Sequence, residues 1–352
     1  MTRPLLFTLL FLWNFFPAFS QPKVVFTSDI DHFWEAYDSC RATTDSLRQL
    51  NFIQKLYIDR GTPGLAAFMR ARNYTAQGWV HAIRSYPRFW ATVRPRTLTV
   101  ATRVPEMEAS VRRFRELYPG LKDAAMYFTV GCLHSGGTTE GNMVLVGAEV
   151  ATGDSTVDCS ELPGRWLEPY FHHPDDVVRI NVHEYVHTQQ RGDDHVGDLF
   201  GFAVMEGGAD FVAELVSGIP LTSVYLVYGR AHEAGLKERF AGEMFQTYYD
   251  DWFYNARTTK GTPDLGYFMG YAICSAYYRR AADKRQALAD IIRFDGLDTA
   301  AEIAFIDRSG YFGPSVDRRA VMGDFARRRV VAFGAPQLLP ILLVMKSLPP
   351  GK

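Results

Sequence analysis

Cysteine is scarce in this chain. Its 352 residues include four, Cys40, Cys132, Cys159 and Cys274. No two are spaced as C-x-x-C, which argues against a cysteine metal site. Charge of one sign is lacking as well. The 38 Lys and Arg against 39 Asp and Glu set up no field that would draw in nucleic acid or an anionic membrane as the main partner. No G-x-x-x-x-G-K-[ST] pattern occurs, so the Gly-rich stretch at 135–141 is not a phosphate loop. Internal repeats and low-complexity tracts are absent. No apolar run reaches the roughly 20 residues of a bilayer span. The run at 5–16 is short and interrupted by Thr8 and Asn14, and the run at 338–345 contains Pro340. At 47% hydrophobic and 14% aromatic, the chain can still bury a sizeable core.

The N-terminus reads as a targeting segment. Arg3 precedes the apolar run, and Ala18 and Ser20 place small residues before a cleavage site at Gln21. We expect residues 1–20 to be a signal peptide and the protein to be exported, periplasmic or secreted, with no stable membrane span in the mature chain. No cysteine follows the run closely enough for a lipoprotein. An uncleaved anchor is the alternative. Export permits disulfides. Cys132 and Cys159 flank an expected hairpin, and they either pair or remain buried thiols.

The sequence predicts an α+β chain, mostly helical. Residues 21–120 read as an N-terminal helical region and 121–352 as a second region carrying the chemistry. Ser28-Asp29 and Thr44-Asp45 are helix-capping pairs, and Gly61-Thr62-Pro63-Gly64 is a break before another helix. A further helix is expected from Pro105 to Tyr118. Trp79, His81, Tyr86, Phe89 and Trp90 have the spacing of a core-facing stripe rather than a substrate groove. Residues 124–130 and 143–150 read as strands joined by a loop. The connector at 153–174 contains the pair His172-His173, read as a solvated loop. Arg327-Arg328-Arg329 reads as a solvated helix face.

The chemistry sits between Arg179 and Glu214. His183-Glu184-Tyr185-Val186-His187 is an H-E-x-x-H motif. Residues i and i+4 share a helix face, so both histidines can meet one metal ion. Glu184, offset by roughly 100°, can reach a water there without occupying a ligand position. A catalytic zinc site needs a third protein ligand. Glu206 is the best candidate, with 18 residues between it and His187. Those residues suffice to end a helix near Gly192, turn through Asp193-Asp194-His195 and bring a second helix back. Asp210, one turn after Glu206, can accept the other ring N–H of a ligand histidine.

H-E-x-x-H followed by Glu206-Gly207-Gly208-Ala209-Asp210 resembles the gluzincin metallopeptidases. It is also similar to bacterial families of predicted zinc-dependent peptidases and their gliding-motility-lipoprotein-like relatives. The likeness spans about residues 175–216. It implies a gluzincin-like core with a small sheet before the active-site helix pair, whose edge strand accepts an extended peptide. It also implies Zn2+ held by His183, His187 and Glu206, Glu184 as general base, and Asp210 behind a histidine. The aminopeptidases' G-A-M-E-N motif is missing, so the resemblance does not extend to aminopeptidase activity.

The expected function is a zinc-dependent hydrolase, a peptidase acting on peptide or protein substrates through metal-activated water. Tyr271, on a Gly-rich helical stretch with close-packing positions Gly266 and Gly270, is a candidate hydroxyl donor to the oxyanion. His195 is a further candidate for that role. The alternative is a non-catalytic envelope or surface binding protein stabilised by the metal. A third reading is a metal hydrolase acting on a non-peptide amide or ester. Oligomeric state is left open.

Overall fold

The computed structural model describes residues 23–165, 167 and 176–313. Outside these lie the expected targeting segment, the His172-His173 pair, the Arg327–Arg329 cluster and the apolar run at 338–345. Several helix starts follow directly from the sequence. Asp45 accepts from the backbone N–H groups of Leu47 at 2.9 Å and Arg48 at 3.3 Å. It thereby opens α2 (Ser46–Phe52), which widens into a π-helical stretch at Ile53–Ile58. Thr62 caps α3 (Pro63–Arg72) and Thr75 caps α4 (Ala76–Ser85). In α1 (Ser28–Arg41) the expected cap is not made. The Asp29 carboxylate instead accepts from Thr62 N at 2.9 Å and Thr62 Oγ1 at 2.5 Å, tying α1 to the start of α3.

Trp79, Phe89 and Trp90 are fully buried with Phe33 and Trp34. The aromatic stripe is therefore core, while His81 stands exposed. One expectation fails here. The helix foreseen from Pro105 belongs to α5 (Pro87–Leu117), 31 residues that run through both Pro95 and Pro105. Both prolines lie on the solvent side, where water can satisfy the carbonyls they leave without a partner. Phe89, Trp90, Val93, Val100, Met107 and Phe114 bury the opposite face.

The sheet also corrects the sequence reading. Strands β1 (Val25–Phe26), β2 (Ala125–Thr129), β3 (Gly137–Glu140) and β4 (Met143–Gly147) lie in the order β1-β2-β4-β3. The two expected strands, β2 and β4, are parallel, with Tyr127 opposite Leu145. The hairpin is β3–β4, turning through Gly141 at φ 59°. Its first strand, rich in Gly and Thr, is hidden in the stretch that reads as loop. The Cys132 thiol packs on Gly78 and the Thr75 backbone, and none of the four cysteines, all buried, forms a disulfide. β1 joins residues of the N-terminal region to the same sheet. A four-residue helix, α6 (Ala148–Ala151), follows β4.

Helix α7 (Asp176–His187) packs on α5 and on α8 (Leu199–Ser217). Val178, Val182 and Val186 are at most 1% exposed. Each costs roughly 0.5 kcal/mol in helix propensity, but full burial contributes about 1.5 kcal/mol or more apiece, so packing decides. Asp198 caps α8, and Gly218 ends it at φ 71°. α9 (Val224–Glu243) and α10 (Leu265–Arg280) follow, then α11 (Lys284–Ile292) and α12 (Thr299–Ser309). The result is α+β and mostly helical, with one small sheet. Among the described residues, no helix is long and apolar enough to cross a membrane.

Candidate metal centre

α7 and α8 bring His183, His187 and Glu206 to one point. The two Nε2 atoms are 3.0 Å apart, and Glu206 Oε2 lies 3.5 Å from one and 3.4 Å from the other. Hydrogen bonds behind the rings fix what these atoms offer. His183 Nδ1 is 2.9 Å from Asp210 Oδ1, which can only accept when ionised, so Nδ1 carries the proton. His187 Nδ1 is 2.7 Å from Gln190 Oε1. The Gln190 amide is oriented by its own donation to the Met205 carbonyl at 2.8 Å, which leaves its oxygen for the ring. Both Nε2 lone pairs therefore face the Glu206 carboxylate. Three electron-rich atoms converge, and Glu206 Oε2 is buried with no hydrogen-bond partner. This donor set fits a metal cation.

The electrostatics agree. Burial opposes charge on His183, but the hydrogen bond to Asp210 and the carboxylate of Glu206 beside the ring overcome it and lift the pKa to about 10. Burial would raise Glu206, yet the two histidines bring it down to about 2. The site demands positive charge, and without a metal it draws protons instead. Glu184, 1% exposed, keeps Oε2 without a hydrogen-bond partner. Burial, partly offset by His187 and His183, raises its pKa to about 7.

The remaining expected residues divide. Asp210 stands behind His183, and its second oxygen accepts from Tyr225 Oη at 2.8 Å. With both oxygens occupied it is not a further ligand. Tyr271 turns elsewhere: its hydroxyl donates to Glu214 Oε1 at 2.7 Å, and Arg230 lies over its ring. The tyrosine near the triad is Tyr267, one turn earlier on α10. Its ring centroid is 6.4 Å from that of His183, and its buried hydroxyl has no hydrogen-bond partner. His195 is held by Asp295 at 3.1 Å. Gln190, Tyr225 and Tyr267 were not singled out in the sequence. Gln190 was legible in principle, three residues past His187 and so beside it on a helical turn. A groove of about 420 Å³ between α11 and α12 contains none of the triad. The site is recognised by its chemistry rather than by cavity size. Comparison with family models, curated proteins and solved structures yields no match to this chain.

Proposed function

We propose that the protein is a zinc-dependent hydrolase of amide bonds, a peptidase. The observation that carries this reading is the buried, partnerless carboxylate oxygen of Glu184 beside a three-residue ligand set. Zinc, when bound, supplies a Lewis acid that acidifies water and polarises a carbonyl oxygen. His183, His187 and Glu206 hold it, and Asp210 and Gln190 orient the two rings. Burial sets Glu184 near neutrality, at about 7, suited to taking a proton from water and passing it to the leaving amine. Tyr267 donates its hydroxyl toward the developing oxyanion. The targeting segment expected at 1–20 would place that action in the periplasm or outside the cell.

The test is Glu184→Gln. The variant keeps its metal and loses hydrolysis of a peptide library by about 10²–10⁴-fold. Wild-type turnover in that variant would overturn the mechanism. A second reading, a metal-stabilised binding protein, draws on the low exposure of the ligands, 8% for the His183 side chain and 3% for Glu206. It predicts a zinc-loaded wild type that cleaves no peptide.

A further inference from the structure

Arg179, His183 and His187 are spaced by four along α7 and share one face. The Arg179 side chain is only 9% exposed. Its Nε donates to Asp176 Oδ1 at 3.2 Å, and among the described residues neither Nη group has a hydrogen-bond acceptor. The neighbours that sustain its charge against burial are Tyr225, Asp210 and Asp176. None of them takes up the fork. Asp210 uses its oxygens on His183 and Tyr225, whose hydroxyl is committed to Asp210. A guanidinium offers five N–H donors in a planar array matched to a carboxylate. The Nη groups are not among the buried polar atoms that lack a partner, so they reach solvent and stand open to a ligand.

The placement suits a substrate lying along α7. Arg179 is one turn from His183, about 6 Å along the axis. Successive Cα atoms of an extended peptide are about 3.8 Å apart. A carboxylate one or two residues beyond the scissile carbonyl spans that gap. The positive end of α7 adds to the attraction.

We propose that Arg179 receives a substrate carboxylate, so that the site prefers peptides bearing one within two residues after the scissile bond. This rests on the peptidase reading. The carboxylate is either the chain terminus or an Asp or Glu side chain.

Calorimetry on zinc-loaded full-length Glu184→Gln protein separates these sources without turnover. Three probes are compared: an N-acetyl dipeptide of apolar residues as free acid, the same peptide as C-terminal amide, and an amidated peptide ending in Glu. The acid is expected to bind at least 10-fold tighter than the apolar amide. Tight binding by the Glu amide as well extends the receptor to side-chain carboxylates. Adding Arg179→Met should erase the preference with zinc content unchanged, and Arg179→Lys, which keeps the charge, should fold and retain only part of it. Equal binding of acid and amide, or a preference that survives both substitutions, overturns the proposal. Loss of zinc on both substitutions does so too, since Arg179 would then serve only to balance Asp210. Carboxylate preference in a wild type that cleaves no peptide would reject the peptidase reading and leave the receptor standing.

Discussion

Gly207 on α8 and Gly270 on α10 meet backbone to backbone. A Cβ on Gly207 would run into the backbone of Tyr267 and Tyr271, and one on Gly270 into the Ala203 carbonyl. The contact sets how closely Glu206 and Tyr267 approach each other, since each neighbours the crossing on its own helix.

Alanine at either glycine therefore has two opposed effects. Helix propensity favours it by about 1 kcal/mol, but overpacking against a backbone that cannot step aside costs about 1–3 kcal/mol or more. We expect Gly207→Ala and Gly270→Ala to be destabilised in urea unfolding of the metal-free protein, with weakened zinc binding as well. Unchanged stability would mean that the helices part without cost.

Asp210→Asn should lower zinc affinity by about 10–100-fold, because an amide can present N–H to His183 Nδ1 and move the ring proton to Nε2. Tyr225→Phe, which leaves the carboxylate in place, should lose less. Titration against a chromophoric chelator measures both. Equal losses would show that Tyr225 rather than charge orients the ring.

Tyr267 and Tyr271 make opposite predictions. Tyr267→Phe should retain zinc and reduce kcat by about 10²-fold, the usual loss of an oxyanion donor. Tyr271→Phe should leave kcat near wild type and cost about 1 kcal/mol of stability through the lost bond to Glu214. Reversed phenotypes would return the donor role to Tyr271.

Glu149 gives stability its own pH dependence. It is fully buried and accepts from the backbone N–H groups of Gly131 at 2.9 Å and Leu133 at 3.2 Å. Burial outweighs these bonds and raises its pKa from 4.5 to about 7. Below pH 4.5 the carboxyl is neutral in both states and imposes no penalty. As pH rises the unfolded chain ionises first, so native stability falls, by about 3 kcal/mol in all once pH exceeds 7. Denaturant unfolding of wild type and Glu149→Gln at pH 5 and pH 8 should show the wild type losing ground relative to the variant. A pH-independent difference would mean that Glu149 ionises normally in the fold.

Much of this was legible in the sequence where chemistry is local. The Asp45 cap involves neighbours two or three residues away, and the i, i+4 histidines follow from helix geometry alone. What escaped depends on distant partners. Pro105 reads as a helix start, and only the buried opposite face of α5 explains why the helix runs through it and Pro95. β3 has little strand propensity and exists because β4 offers a free edge. β2 and β4 look like a hairpin locally, yet their order is set by the connection through β3. On α10 the small residues did signal close packing with a neighbouring helix. The phase of that contact, which turns Tyr267 and not Tyr271 toward His183, comes from α8.

The central claim is that His183, His187 and Glu206 hold one metal ion. Mass spectrometry of the purified protein under native conditions, beside His187→Ala and Glu206→Ala, tests it most directly. The account predicts one zinc per wild-type chain and sharply weakened binding in both variants. A wild type that takes up no metal when zinc is supplied, or a Glu206→Ala protein that binds it as tightly as wild type, would contradict it.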